Sequence, residues 1–175
     1  MPIERLSTTQ LADDFVFLEG PRWRGDRLWL SDMWGLAVYT LTTGGAREKI
    51  VDVPGRPSGL GFLPDGTPLI VSMSDRRILR FRGGRLELHA DLGSLASADV
   101  NDLLVDTRGR AWAGHFGSNV FAGEAPRSAE LILIEPDGRA RIAAKDLAFP
   151  NGMVLTDGGS TLVVAERFAR KFTAF

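Results

Sequence analysis

Apolar side chains along this chain show almost no helical periodicity. They alternate with polar residues or sit in runs a few residues long, and Gly, Pro, Asp and Asn interrupt them every several positions. Such a pattern predicts short β-strands joined by tight turns. The clearest stretch reads "SGLGFL", "PDG", "TPLIVSM", "SDR", "RILRFR", "GG", "RLELHADL". It predicts four strands with turns at Asp65-Gly66, Ser74-Asp75 and Gly83-Gly84, built from residues that tolerate tight-turn backbone angles.

The same grammar occurs about four times. "GPRW", "RLWLSDM", "GLAVYTL" and "AREKIVDV" come before the clear stretch. "NDLLVD", "AWAGHFG", "AELILIE" and "RARIAAK" come after it, with a polar insertion ahead of the third of these. "NGMVL", "TLVVAER" and "KFTAF" make a last block of three strands. Aligning the first strands superposes Glu19, Ser58, Asn101 and Asn151, which lie 39, 43 and 50 positions apart. Gly66, Gly109 and Gly159 each follow Ser58, Asn101 and Asn151 by eight residues, and Gly25 follows Glu19 by six. Four strands recurring with a period in the forties predict the blades of a β-propeller. A β-sandwich or an open meander would not require the same grammar each time. The expected organisation is one all-β domain with blades over 19–54, 55–93, 99–146 and 150–175, and a ring-closing strand over 3–9.

Because the first strand of each propeller blade lines the central channel, the alignment converts four distant residues into one ring. Glu19, Ser58, Asn101 and Asn151 offer a carboxylate, a hydroxyl and two amides, an oxygen set suited to Ca²⁺, Mg²⁺ or Mn²⁺. Each has a plainer reading alone. Glu19 before Gly-Pro suits a surface turn, and the two asparagines suit turns through their own side-chain hydrogen bonds. Asn151-Gly152 is also an ordinary turn pair, with Gly152 letting the chain bend into the strand. Ser58 reads as a small strand-start residue. His115 is expected after a strand of the third blade, either facing a pocket rim or as a satisfied structural histidine. Trp23, Trp29 and Trp112 read as blade-packing core.

Composition narrows the partners. The 175 residues carry a net charge of -1, which provides no field for nucleic acid or an anionic membrane surface. There is no cysteine, so disulfides and thiolate metal sites are ruled out. The start, "MPIERLSTTQLADDF", lacks the pattern of a signal peptide, which makes the expected location cytoplasmic. Phosphate loops, nucleophile elbows, His-Glu-x-x-His and dinucleotide fingerprints are missing.

Four segments then resemble the family of senescence marker protein (regucalcin), gluconolactonase and related lactonases. They are "LEGPRW", "PSGLGFLPDG", "NDLLVDTRGRAWAGHFG" and "FPNGMVLTDGGSTLVVAERFARKFTAF", the last pointing to the bacterial sugar-lactonase branch. The resemblance implies a six-bladed propeller, of which this chain would supply about three and a half blades. At this period a full ring needs about 260 residues. It also implies one divalent metal (Ca, Mn, Mg or Zn) in the channel, held by Glu19 and Asn151, with Asn101 contacting metal or substrate. The third protein ligand of the family, an aspartate that also serves as general base, has no counterpart here. Some lactonases carry an arginine two residues before the Asn-Asp pair, where this chain has Asp99, which would bind a substrate hydroxyl or serve as a loop carboxylate. Leu103 replaces a frequent glycine. The implied activity is ring opening of a sugar lactone, weak or absent in this chain. The alternative is a non-catalytic propeller piece or a module that binds metal or small molecules.

Overall fold

The computed structural model describes residues 7–175. The strand expected over 3–9 falls mainly outside the described residues, and residues 7–9 carry no strand. The fold is all-β. Strands β1 (Leu18–Arg24), β2 (Arg27–Asp32), β3 (Ala37–Leu41) and β4 (Arg47–Asp52) form the first antiparallel sheet in simple meander order. The second sheet holds β5 (Pro57–Phe62), β6 (Pro68–Ser72), β7 (Arg77–Arg82) and β8 (Arg85–Asp91). Strands β9 (Val100–Val105), β10 (Ala111–His115), β11 (Ala129–Ile134) and β12 (Ala140–Leu147) make the third. The last sheet has three strands, β13 (Pro150–Thr156), β14 (Thr161–Glu166) and β15 (Lys171–Ala174).

The first strands are mutual neighbours: β1 packs on β5, β5 on β9, and β9 on β13. This is the arrangement of propeller blades around an axis, and the core lies between the blades. Val38, Val53, Leu60 and Ile70 fill the interface of the first two sheets. Leu69, Val71, Ile78, Val100, Leu103, Ala113 and Ile132 fill that of the second and third. Trp112, Leu131, Leu133, Leu162 and Val164 fill that of the third and fourth. Middle strands are buried on both faces, which explains runs such as "PLIVS" and "AELILI" that are too apolar for simple alternation. Trp29 and Trp112 pack in these interfaces, whereas Trp23 is exposed: among the described residues no second sheet covers its face of β1.

One turn chemistry recurs in the second and third sheets. The carboxylates of Asp65, Asp106 and Asp137 accept the amides of Thr67, Arg108 and Arg139, each two residues on, at 2.9, 2.9 and 3.1 Å. Aspartate suits this position because its short side chain imitates a backbone acceptor.

Candidate metal centre

Every first strand carries the same irregularity. Leu18, Pro57, Val100 and Pro150 pair with Asp32, Ser72, His115 and Glu166 at the ends of the second strands. Pairing resumes with one extra residue on the inner strand: Pro57 and Leu60 face Ser72 and Ile70, and Pro150 and Met153 face Glu166 and Val164. These are β-bulges, which bend a strand and re-aim its side chains. Ser58, Asn101 and Asn151 open their bulged segments, whereas Glu19 still pairs with Ser31 and its bulge follows, between Glu19 and Arg22. The four aligned positions thus sit beside a defect repeated in each blade.

Three of them meet. Glu19, Asn101 and Asn151 line one cavity of about 100 Å³ together with Phe17, Met33, Phe116, Phe121, Phe149 and Arg167. Asn101 is buried, and the Ser58 hydroxyl donates to its Oδ1 at 3.2 Å. Ser58 therefore does not line the cavity. It orients an amide oxygen that keeps a second lone pair. Burial, and next the charge of Asp102, push the Glu19 carboxyl above its ordinary range, while Arg167 and the Gly20 amide act in the opposite direction. Asp102 is itself raised by burial, against the pull of Arg22, whose guanidinium reaches Asp102 at 3.2 Å and the Leu103 carbonyl at 2.7 Å. Arg22 in this way ties the first sheet to the third.

Asp99 lies elsewhere. Its carboxylate pairs with Arg56 at 3.0 Å and lines a separate polar cavity with Ser74, Arg76, Ser97, Asn119 and Arg127. Arg56 also sits 5.1 Å from both the Trp34 and the Phe121 ring centres, so the pair is fixed as part of the rim. His115 does not face the rim either. It is fully buried within β10, with Nε2 2.9 Å from the Glu130 carboxylate, and the Gly117 amide donates to Nδ1. Asp32 and Glu166 occupy the same blade position and do the same kind of work. Asp32 accepts the amides of Val16, Phe17 and Gly35, and Glu166 accepts that of Ala148. A buried polar residue at the end of each second strand is a joint in the blade, and that is the role of His115.

Aromatic rings line the cavity of the three oxygen donors. Phe116 stacks on Phe149 at 4.5 Å, Phe121 meets both Trp34 and Phe116 edge-on, and Phe168 leans on Phe149. Phe121 comes from the insertion before β11, whose short 3₁₀ turn Val120–Ala122 is capped by the Asn119 side chain. The sequence showed that insertion only as polar, and neither Phe149 nor Arg167 was distinguishable there from strand-flanking residues. One available signal was their place at the ends of the expected strands, beside Pro150 and Glu166. A larger cavity of about 870 Å³ lies between the third and fourth sheets, lined by turn residues such as Thr107, Arg108, Asp157 and Gly158. It brings together no oxygen donors from the bulges, and chemistry is better sought at the smaller site.

A profile described as the SMP-30/Gluconolactonase/LRE-like region matches residues 17–175. The chain belongs to this family. Its fold is similar to that of a gluconolactonase from Xanthomonas campestris, with 23% identity and a TM-score of 0.78 over 94% of this chain and 60% of that one. A calcium-binding regucalcin from Agrobacterium tumefaciens is 20% identical with a TM-score of 0.74, over 91% and 54% of the two chains. A luciferin-regenerating enzyme is 15% identical with a TM-score of 0.74, over 91% and 55%. The chain of this family member thus spans between 54% and 60% of the length of these structures. No helix among the described residues is long and apolar enough to cross a membrane.

Proposed function

We propose that Glu19, Asn101 and Asn151 hold a divalent cation in a site for opening lactone rings. The observation that carries this reading is that three oxygen-bearing residues, far apart in sequence, line one cavity at equivalent bulges of three sheets. The donor set fits a hard cation. All three donors are oxygens, one is anionic, and burial together with the Asp102 charge raises the proton affinity of Glu19. Among the described residues no cluster of three His, Cys, Asp or Glu exists, so any site here depends on amide oxygens and on further ligands from water or substrate. When bound, such a cation polarises the lactone carbonyl and stabilises the oxyanion formed as water attacks.

The residues of the chain divide the remaining work. Ser58 holds the Asn101 amide in register, the phenylalanines give the cavity an apolar lining, and Glu19 supplies the negative charge. Glu19 is the one carboxylate lining the cavity among the described residues, and as a ligand it is not free to take the proton of the attacking water. That observation supports a second reading, a cation-binding module without a base of its own.

Both readings meet one experiment. After chelation and dialysis, cation binding is followed by titration calorimetry, and hydrolysis of glucono-1,5-lactone by proton release. Asn151→Ala and Glu19→Ala are each expected to weaken binding by at least ~10-fold, comparable to or beyond the loss from disturbing an outer-shell partner. Cation-stimulated hydrolysis that disappears in both variants supports the hydrolase, and binding without hydrolysis supports the module. Equal cation affinity in wild type and both variants refutes the site.

A further inference from the structure

The surroundings of the three oxygen donors contain three arginines, and among the described residues only two have ion-pair partners. Arg22 is engaged by Asp102 and the Leu103 carbonyl. Arg56 is engaged by Asp99. Arg167 lines the cavity with Glu19, Asn101 and Asn151, yet its guanidinium forms no ion pair or side-chain hydrogen bond with any described residue. It is close enough to influence the Glu19 carboxylate without pairing with it.

Arg167 is exposed, but its backbone is anchored and its guanidinium rests near an aromatic ring. Arg167 directly follows Glu166, the buried joint at the end of β14, and its backbone amide donates to the Phe149 carbonyl at 3.0 Å. The guanidinium carbon lies 5.4 Å from the centre of the Phe149 ring, which is itself stacked on Phe116. A planar cation resting on an aromatic face loses little freedom when it forms hydrogen bonds, and its donor fork matches a carboxylate. Together with a divalent cation it leaves the cavity with more positive charge than Glu19 can balance. Two cationic groups so placed repel each other until an anion comes between them.

We propose that Arg167 is the specificity-determining residue of this cavity, binding a carboxylate carried by the substrate, so that the ligand is an acidic lactone derived from a sugar dicarboxylic acid. The substrate class rests on the lactone reading above, whereas the anion site stands on Arg167 alone. The competing role is that of a distant counter-ion for Glu19, which would affect all ligands alike.

The test compares glucaro-1,4-lactone with neutral glucono-1,5-lactone on wild type, Arg167→Gln and Arg167→Lys. Wild type is expected to favour the acidic lactone. Arg167→Gln should raise its KM by about 10–100-fold relative to any change for the neutral lactone, the usual worth of a charge-assisted pair. Arg167→Lys should recover part of the difference. A second arm measures glucarate and glucitol binding by calorimetry in the presence of chelator, with thermal melting to confirm that each variant is folded. Here Arg167→Gln should weaken glucarate at least ~10-fold and leave glucitol unaffected. Glucarate binding that depends on Arg167, with neither lactone hydrolysed, retains the anion site and sinks the lactone reading. Hydrolysis of both lactones with equal losses in Arg167→Gln, or glucarate affinity indifferent to Arg167, overturns the proposal.

Discussion

Glu19 shows how much a single residue depends on what surrounds it. In sequence it is a carboxylate before Gly-Pro. In the fold, burial and the nearby Asp102 charge raise its proton affinity. A carboxyl whose folded pKa lies above its unfolded value contributes stability below the unfolded range, about 4.3 for glutamate, and loses it as pH rises through the folded value. Ionised Glu19 therefore weakens the cation-free protein at neutral pH. Glu19→Gln in chelator should melt at a higher temperature than wild type at pH 7, and the difference should vanish near pH 3.5, as read by circular dichroism. A lower melting temperature for the variant at pH 7 would mean that the carboxylate is stabilised by its neighbours, contrary to its raised proton affinity. The same contrast between sequence and surroundings applies to Asp99: its place two residues before the Asn-Asp pair left a substrate hydroxyl or a loop carboxylate open, and in the fold it pairs with Arg56.

At the scale of elements, the alternation and turn residues of each blade were legible because neighbouring residues decide them. The bulges were not, since a bulge exists only between two strands. Nor was the closeness of the inner strands. A Cβ at Gly59 would lie 2.3 Å from the Leu103 amide nitrogen and 2.7 Å from the Asp102 carbonyl carbon, both backbone atoms that cannot step aside singly. Gly59 is thus required by the approach of β5 to β9. Gly59→Ala should cost at least ~2 kcal/mol in urea unfolding, in the range of overpacked sites, and should shift Asn101 with the displaced strand. Gly152 is the control. It was read as a turn glycine, but its φ is not positive, and the nearest atom to an added Cβ is 3.9 Å away at Asp102 Oδ2. Gly152→Ala should change stability by less than ~1 kcal/mol. Equal destabilisation by both alanines would refute the argument from strand approach.

At the scale of the whole molecule, the candidate ligands stand on the first, third and fourth sheets, each with its own hydrogen-bond network. A cation shared by them would join blades that otherwise meet through side-chain packing and the bonds of Arg22 to Asp102 and Leu103. Since a ligand that binds only the folded state stabilises by mass action, Ca²⁺ or Mn²⁺ at about 100 times its dissociation constant should add roughly 2.7 kcal/mol. The melting temperature should rise with cation concentration in wild type and stay flat in Asn151→Ala. An equal rise in both would place the bound cation elsewhere.

The all-β class, the repeating four-strand unit and the superposition of Glu19, Ser58, Asn101 and Asn151 were readable from the chain itself. Strand alternation and turn formation are local, and a tandem repeat writes the same local solution several times. Only the tertiary structure separated the aligned positions by role, turning Ser58 into a support for Asn101 and removing His115 and Asp99 from the cavity. It alone brought Phe149, Phe121 and Arg167 to the oxygen donors. These placements depend on how strongly each inner strand bends and how closely the blades approach, and contacts between residues tens of positions apart leave no trace in any one segment of sequence.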